Sequence, residues 1–294
     1  MLVFYSPDYA CAGYAFDTTR KAGWIAGSLA DRPIAGVELV APEPASEEQL
    51  CLVHEPAYVA AVRTGEPRAL AESQGFPWDP ALWRAVRAAT GGAVAGSRAA
   101  RRDGAAGSLS SGLHHAKRGR GDGFCTFNGL ALAAHEALES GVRSVLILDL
   151  DAHCGGGTHS LVKDDARIRH ADVAVNAFDV YAPVAPNTLE LIGDADRYLP
   201  AIASLLTRLE ASGTRFDLCL YNAGMDPYEG CEIGGLPGIT FATLAARERM
   251  VFDWARRVGV PIAFVLAGGY TGARLSEAEL LDLHRLTLAA AAGA

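Results

Sequence analysis

The spacing of hydrophobic positions divides the chain into two kinds of segment. Short unbroken apolar runs occur at Ser144–Leu150 (SVLILDL), Val173–Phe178 (VAVNAF), Phe216–Asn222 (FDLCLYN) and Pro261–Leu266 (PIAFVL). Runs of this length suit strands of a parallel sheet, which are buried on both faces and so need not alternate with polar residues. Between them, Tyr198–Ser212 and Phe241–Val258 place apolar residues three and four apart, the stripe of an amphipathic helix. The alternation predicts an α/β fold with a mostly parallel central sheet and helices on both faces. The first half reads as more helical. Thr18–Leu29, Ser46–Val53, Pro56–Thr64 and Pro80–Ala100 are expected helices, Leu2–Tyr5 an edge strand, and Gly104–Gly107 and Arg118–Gly123 glycine-containing connections. The Ala-rich stretch Leu286–Ala294 extends a terminal helix and then frays. With no linker-like stretch and no internal repeat, residues 1–294 are expected to form one domain.

Composition narrows the function classes. A chain that is 50% hydrophobic and 20% charged can bury a large core, which excludes disordered and fibrous classes. A formal net charge of −8 opposes binding to phosphate backbones, so no nucleic-acid partner is expected. No segment approaches the roughly 18 apolar residues of a membrane span, and no basic stretch precedes the first apolar run. A cytoplasmic protein without a membrane partner is the expectation, and the six scattered cysteines read as reduced thiols. Of the 26 basic residues only Lys21, Lys117 and Lys163 are lysines, which leaves few candidates for Schiff-base chemistry.

Candidate chemistry gathers where the apolar runs end. Asp149, Asp151 and His153 stand at alternate positions as SVLILDL ends, and on an extended backbone such residues share a side. Gly155-Gly156-Gly157 follows and allows a sharp turn. Asp226 lies just past FDLCLYN, at the kind of strand end where open α/β sheets gather ligands. Two acids and one imidazole make a three-ligand set of the kind that leaves zinc an open position for catalysis. On spacing alone, Asp residues capping loops compete with this reading. His114-His115 sits in an apolar and glycine frame, in a chain of eight histidines, and imidazole suits proton transfer near neutral pH. Gly123-Phe124 offers a backbone acceptor and an apolar wall, and Tyr270, after Gly268-Gly269, offers a hydroxyl to an oxyanion.

In chain order these motifs read H-H-A, G-F-C-x-F-N, D-x-D-x-H-x-G-x-G-T, N-A-G-x-D-P and G-G-Y, from Leu109 to Tyr270. The pattern resembles the zinc-dependent histone deacetylase family, with its bacterial acetylpolyamine amidohydrolase and acetoin-utilisation relatives. The resemblance implies an arginase–deacetylase fold and one Zn2+ per chain, with Asp151, His153 and Asp226 matching the metal ligands. It makes His115 the general base and His114 its electrostatic partner. Asp149 then orients His114 and contributes to a possible structural K+ site, while Tyr270 polarises the scissile carbonyl. Gly123 and Phe124 become substrate contacts. The implied reaction is removal of an acyl group, acetyl first, from a small N-acyl amine or acyl-lysine.

The chain also departs from the pattern. Cys154 replaces a second histidine, and Gly156 stands where relatives carry the Asp or Asn that holds the general base, so His115 is expected to lack an orienting partner. Asp179–Asn187 lacks the glycine-rich, Phe-bearing loop of the second channel wall, and Phe16–Lys21 replaces H-P-E-x-P. These changes keep a non-catalytic binding protein in view as an alternative. An arginase-type ureohydrolase is disfavoured because Gly155 stands where a further ligand is needed. Glu229, near Asp226, is either a partner for a substrate ammonium or a solvated loop residue.

Overall fold

A computed structural model describes residues 1–13 and 16–293. The elements in chain order are β1 (Leu2–Phe4), α1 (Asp17–Asp31), β2 (Glu38–Val40), α2 (Glu47–Leu50), α3 (Pro56–Thr64), α4 (Arg68–Ala71), α5 (Leu82–Asp103), β3 (Ala105–Ser108), α6 (Gly129–Glu139) and β4 (Val145–Asp149). They continue with α7 (Gly156–Val162), β5 (Ile168–Ala174), β6 (Thr188–Leu191), α8 (Tyr198–Ala211), β7 (Leu218–Gly224), α9 (Phe241–Val258), β8 (Ile262–Ala267) and α10 (Glu277–Ala292). All eight strands join one sheet in the order β2-β1-β3-β8-β7-β4-β5-β6, and every pairing is parallel.

The apolar runs lie at the centre of that sheet. Every residue of β4 is buried, and the strand splits its side chains by period two: Leu146 and Leu148 enter one core, Val145 and Ile147 the other. The first core includes Ile25, Leu205, Phe252 and Leu283 from α1, α8, α9 and α10; the second includes Val59, Val94 and Leu130 from α3, α5 and α6. Helices therefore cover both faces, as expected. Helix starts carry local signals: Ser276 with Glu279 and Thr240 with Thr243 form capping boxes, and α9 stops at Gly259 in the left-handed region.

Several boundaries differ from the expectation. The strand at Leu2–Phe4 is not an edge; it lies between β2 and β3, and β2 is the edge beside it. The expected connection at Gly104–Gly107 becomes β3 from Ala105. Gly107 is needed there for closeness, since a Cβ would overlap the Phe264 ring on β8. The strand expected at Val173–Phe178 begins earlier, at Ile168, and ends at Ala174, which releases Val175–Asp179 as a loop. Gly156-Gly157 opens α7. The terminal helix runs to Ala292; Ala294, where fraying is expected, lies outside the described residues.

Candidate active site

Five strands deliver their carboxyl ends to one place. The loops after β3, β4, β5, β7 and β8 carry His114-His115, Asp151 with His153, Phe178-Asp179, Asp226 and Tyr270, respectively. The pairing of β4 with β7 sets Asp149 opposite Asn222, so the loops that follow start level with one another. Gly224 is required at this crossing, because a Cβ would meet the Asp151 backbone.

Asp151, His153 and Asp226 form a buried group whose ligand atoms all lie within 4.8 Å of one another. His153 Nδ1 is 3.1 Å from Asp151 Oδ1 and 3.1 Å from Asp226 Oδ2. One ring N–H cannot serve both, and Asp226 Oδ2 is left buried without a hydrogen-bond partner. Asp226 Oδ1 is occupied, accepting from the Ala152 N–H at 3.0 Å. Burial and the Asp151 charge push the Asp226 carboxyl up. Burial would lower His153, but the two carboxylates outweigh it and raise the ring to about 10. An orphaned oxygen in a pair of buried acids beside an imidazole fits a divalent cation with mixed O and N ligands.

The adjacent histidines form a second, connected layer. His114 Nδ1 lies 2.9 Å from Asp149 Oδ2, and its Nε2 lies 3.0 Å from His115 Nε2. Asn222 Nδ2 donates to Asp149 Oδ1 at 2.8 Å. Burial disfavours charge on His114, yet Asp149 and Asp151 outweigh it and raise it to about 10; burial, then the His114 charge, lowers His115 to about 4. The pair is therefore split into a cationic ring and a neutral one, as acid and base partners require. Asn128 fixes the backbone of this turn: it caps α6 while its Nδ2 donates to the carbonyls of His114 and Ala116 and to Thr158 Oγ1.

His115 does have a carboxylate partner, contrary to the expectation drawn from Gly156. Asp179 Oδ2 lies 3.1 Å from its Nδ1. The second channel wall is also present, supplied by Phe178. Its ring stands edge-on to His115 at 4.9 Å and to His153 at 6.0 Å. Phe178 escapes a motif search because the expected strand Val173–Phe178 included it, and Asp179 because it opens the segment Asp179–Asn187 that was read only for the loop it lacks; in the structure both lie in the loop after β5.

Beside the Asp151, His153 and Asp226 group opens a cavity of about 430 Å³, lined in part by His115, Gly123, Phe124, His153, Phe178 and Tyr270. Phe124 is braced by Phe16 at 4.8 Å and Phe76 at 5.0 Å, and Phe16 also packs on Tyr270 at 5.3 Å. The segment replacing H-P-E-x-P thus contributes to the site through Phe16. Burial, then the Asp226 and Asp151 charges, push the Tyr270 phenol well above its usual value, so it stays a donor. Lys21, also from that segment, is fully buried and donates to the Gly268 carbonyl. Burial lowers it to about 8 against the pull of Asp226 and Asp151. Glu229 accepts from Gly238 N–H at 3.0 Å within its own loop, and the acid that lines the cavity is Glu232. No helix among the described residues is long and apolar enough to cross a membrane.

Residues 17–182 match the model of the histone deacetylase domain. The chain belongs to the histone deacetylase family. It is 33% identical over 248 residues to an uncharacterized protein of Picosynechococcus sp., covering 82% of each chain. It is 34% identical over 279 residues to polyamine deacetylase HDAC10 of Mus musculus, covering 82% of this chain but only 40% of the mouse protein. The crystal structure of an acetylpolyamine aminohydrolase from Burkholderia pseudomallei superposes with a TM-score of 0.79 at 18% identity, over 99% of this chain and 98% of that one. That structural likeness establishes the α/β deacetylase-type fold.

Proposed function

We propose that the chain is a single catalytic domain, a zinc-dependent amidohydrolase that removes an acyl group, acetyl first, from a small N-acyl amine or an acyl-lysine. The observation that carries this reading is the convergence of Asp151, His153 and Asp226 beside a cavity shared with His115 and Tyr270. Zinc held by those three side chains would act as a Lewis acid on the acyl oxygen and lower the pKa of water toward about 7.

The remaining steps belong to the chain itself. Gly123 and the Phe124 and Phe178 walls hold the amide and exclude bulk water. Neutral His115 accepts a proton at Nε2 from the attacking water and returns it to the leaving amine nitrogen. Cationic His114, held by Asp149, keeps the field beside His115 positive while charge develops on the acyl oxygen. Tyr270 donates its hydroxyl proton in a hydrogen bond to that oxygen. Asp149 faces Asp172 across the β4–β5 ladder, and Asp172 Oδ1 is buried without a partner; a structural K+ would balance this acid pair and takes no part in the chemistry.

The mouse relative is a polyamine deacetylase and the Burkholderia structure an acetylpolyamine aminohydrolase. Carried to this chain, those names favour small acetylated amines as substrates; the proposal places the enzyme in the cytoplasm without a membrane partner, and the net charge of −8 supports the absence of a nucleic-acid partner. The test is to screen zinc-loaded protein against N-acetylated polyamines, acetyl-lysine peptides and other N-acyl amines, alongside His115→Ala. Turnover of at least one amide, reduced about 10²-fold or more in the variant, is expected. One tightly bound zinc with no amide hydrolysed would favour a binding protein instead.

A further inference from the structure

The His115–Asp179 contact decides which ring nitrogen of the proposed base is free. A neutral imidazole carries one proton, and a carboxylate accepting at Nδ1 leaves the lone pair on Nε2, which faces His114 Nε2 at 3.0 Å and becomes the basic atom when water takes the place of that contact. Without that acceptor only the His114 contact opposes a proton on Nε2, where the ring can no longer act as a base.

Here the volume at Gly156 is taken by another loop. A Cβ on Gly156 would overlap the Asp179 carbonyl and come within 2.6 Å of Asp179 Oδ1. The absent side chain is thus the space that Asp179 occupies. Asp179 adopts φ +57°, a left-handed conformation that Asp tolerates better than most residues and that turns the end of the β5 loop back onto α7. Three donors fix its carboxylate: His115 Nδ1 at 3.1 Å, the Gly157 N–H at 2.9 Å, and Lys117 Nζ at 2.9 Å from Oδ1. Lys117 also holds Asp122 Oδ2 at 2.9 Å, and Asp122 Oδ1 accepts from the Gly123 N–H at 3.0 Å. The carboxylate behind the base is therefore tied to the turn that carries the channel residues Gly123 and Phe124.

We infer that Asp179 is the positioning residue that fixes the His115 proton on Nδ1, reaching it from the β5 loop through the space left by the missing side chain at Gly156. This inference rests on the deacylase reading for its kinetic consequence, but its effect on the ring can be read without turnover. Asn accepts the left-handed backbone, and its amide can donate to Nδ1, which would move the ring proton to Nε2.

The experiment compares zinc-loaded native protein with Asp179→Asn and Gly156→Ala. Bound zinc, kcat and KM on one N-acyl amine are measured, together with imidazole ¹⁵N NMR of His115 at pH 8. The expected result for Asp179→Asn is one zinc per chain, kcat lowered about 10²-fold or more, KM within about twofold of native, and the His115 proton moved from Nδ1 to Nε2. Gly156→Ala, which displaces Asp179 without touching the cavity, is expected to lower kcat in the same direction with zinc retained. Native kcat in Asp179→Asn, or a proton that stays on Nδ1, would overturn the inference. Absence of turnover in the native protein would count against the deacylase reading alone, and the NMR comparison would still decide the role of Asp179.

Discussion

Tyr270 and Lys21 show how single residues divide the work at the site. The Tyr270 hydroxyl is kept protonated by burial and two nearby acids, so the contribution proposed for it is a hydrogen bond to developing charge. Tyr270→Phe is expected to lower kcat about 10²-fold to 10³-fold while metal analysis still finds one zinc per chain; loss of zinc together with activity would give the hydroxyl a structural role. Lys21 is a buried cation beside Asp226 and Asp151. Lys21→Met removes one partner from a buried charge cluster, and a loss on the order of 3 kcal/mol is expected in urea unfolding of the protein prepared without zinc. A midpoint within error of native would remove Lys21 from the charge balance. At this scale the grouping of Asp151, His153 and Asp226 was legible in the sequence because each lies just past the end of an apolar strand, and His114-His115 because adjacent histidines in an apolar and glycine frame stand out without any strand to place them. Lys21 was not legible, since its partner Gly268 is 247 residues away. Asp179 was hidden because its contact with His115 crosses 64 residues of chain and depends on the space at Gly156, which no local spacing shows.

Elements determine whether those residues meet. Asp151 and Asp226 follow neighbouring strands, and α9 secures both loops from behind. Arg247, fully buried, donates to the Leu150 carbonyl at 3.2 Å and to Tyr198 Oη at 3.0 Å, and pairs with Glu248 at 2.7 Å. Its other terminal nitrogen reaches Met225 Sδ, next to Asp226. Arg247→Met would leave the buried Glu248 without its cation, held only by the Tyr221 hydroxyl at 2.6 Å, and is expected to cost about 3 kcal/mol of unfolding free energy, part of it regained in Arg247→Met/Glu248→Leu. A single variant as stable as native would show that the pair is not needed to hold α9. The long apolar strands and amphipathic helices were readable from period alone. The short strands β2 and β3 were not, because Ala-Ala-Gly-Ser has no apolar run; it is placed in the sheet by contact with Phe264.

For the whole molecule, composition indicated a large core but could not arrange it. The motif order from Leu109 to Tyr270 implied convergence, and the eight-stranded parallel sheet provides it with one row of carboxyl strand ends. Sensitivity to acid follows from neutral buried histidines. His54 accepts from the Asn128 N–H at Nε2, lies 2.9 Å from the Lys117 carbonyl at Nδ1, and is lowered by burial to about 4. The folded protein therefore binds fewer protons than the unfolded chain between pH 4 and about 6.5, so this contribution is complete above pH 6.5 and lost as pH falls toward 4. It amounts to as much as about 3 kcal/mol, and His54→Gln is expected to flatten the urea-midpoint profile between pH 7.5 and 4.5. An unchanged slope would assign acid sensitivity to other groups.

One zinc on Asp151, His153 and Asp226 is proposed to make this chain an amide hydrolase. The most direct measurement titrates metal-stripped protein with zinc while acetate release from an N-acetyl amine is followed. Activity that rises linearly to one equivalent, and is absent with Asp226→Ala, is the predicted result. Turnover that persists in the stripped protein or in Asp226→Ala, or that needs two metal ions per chain, would contradict it.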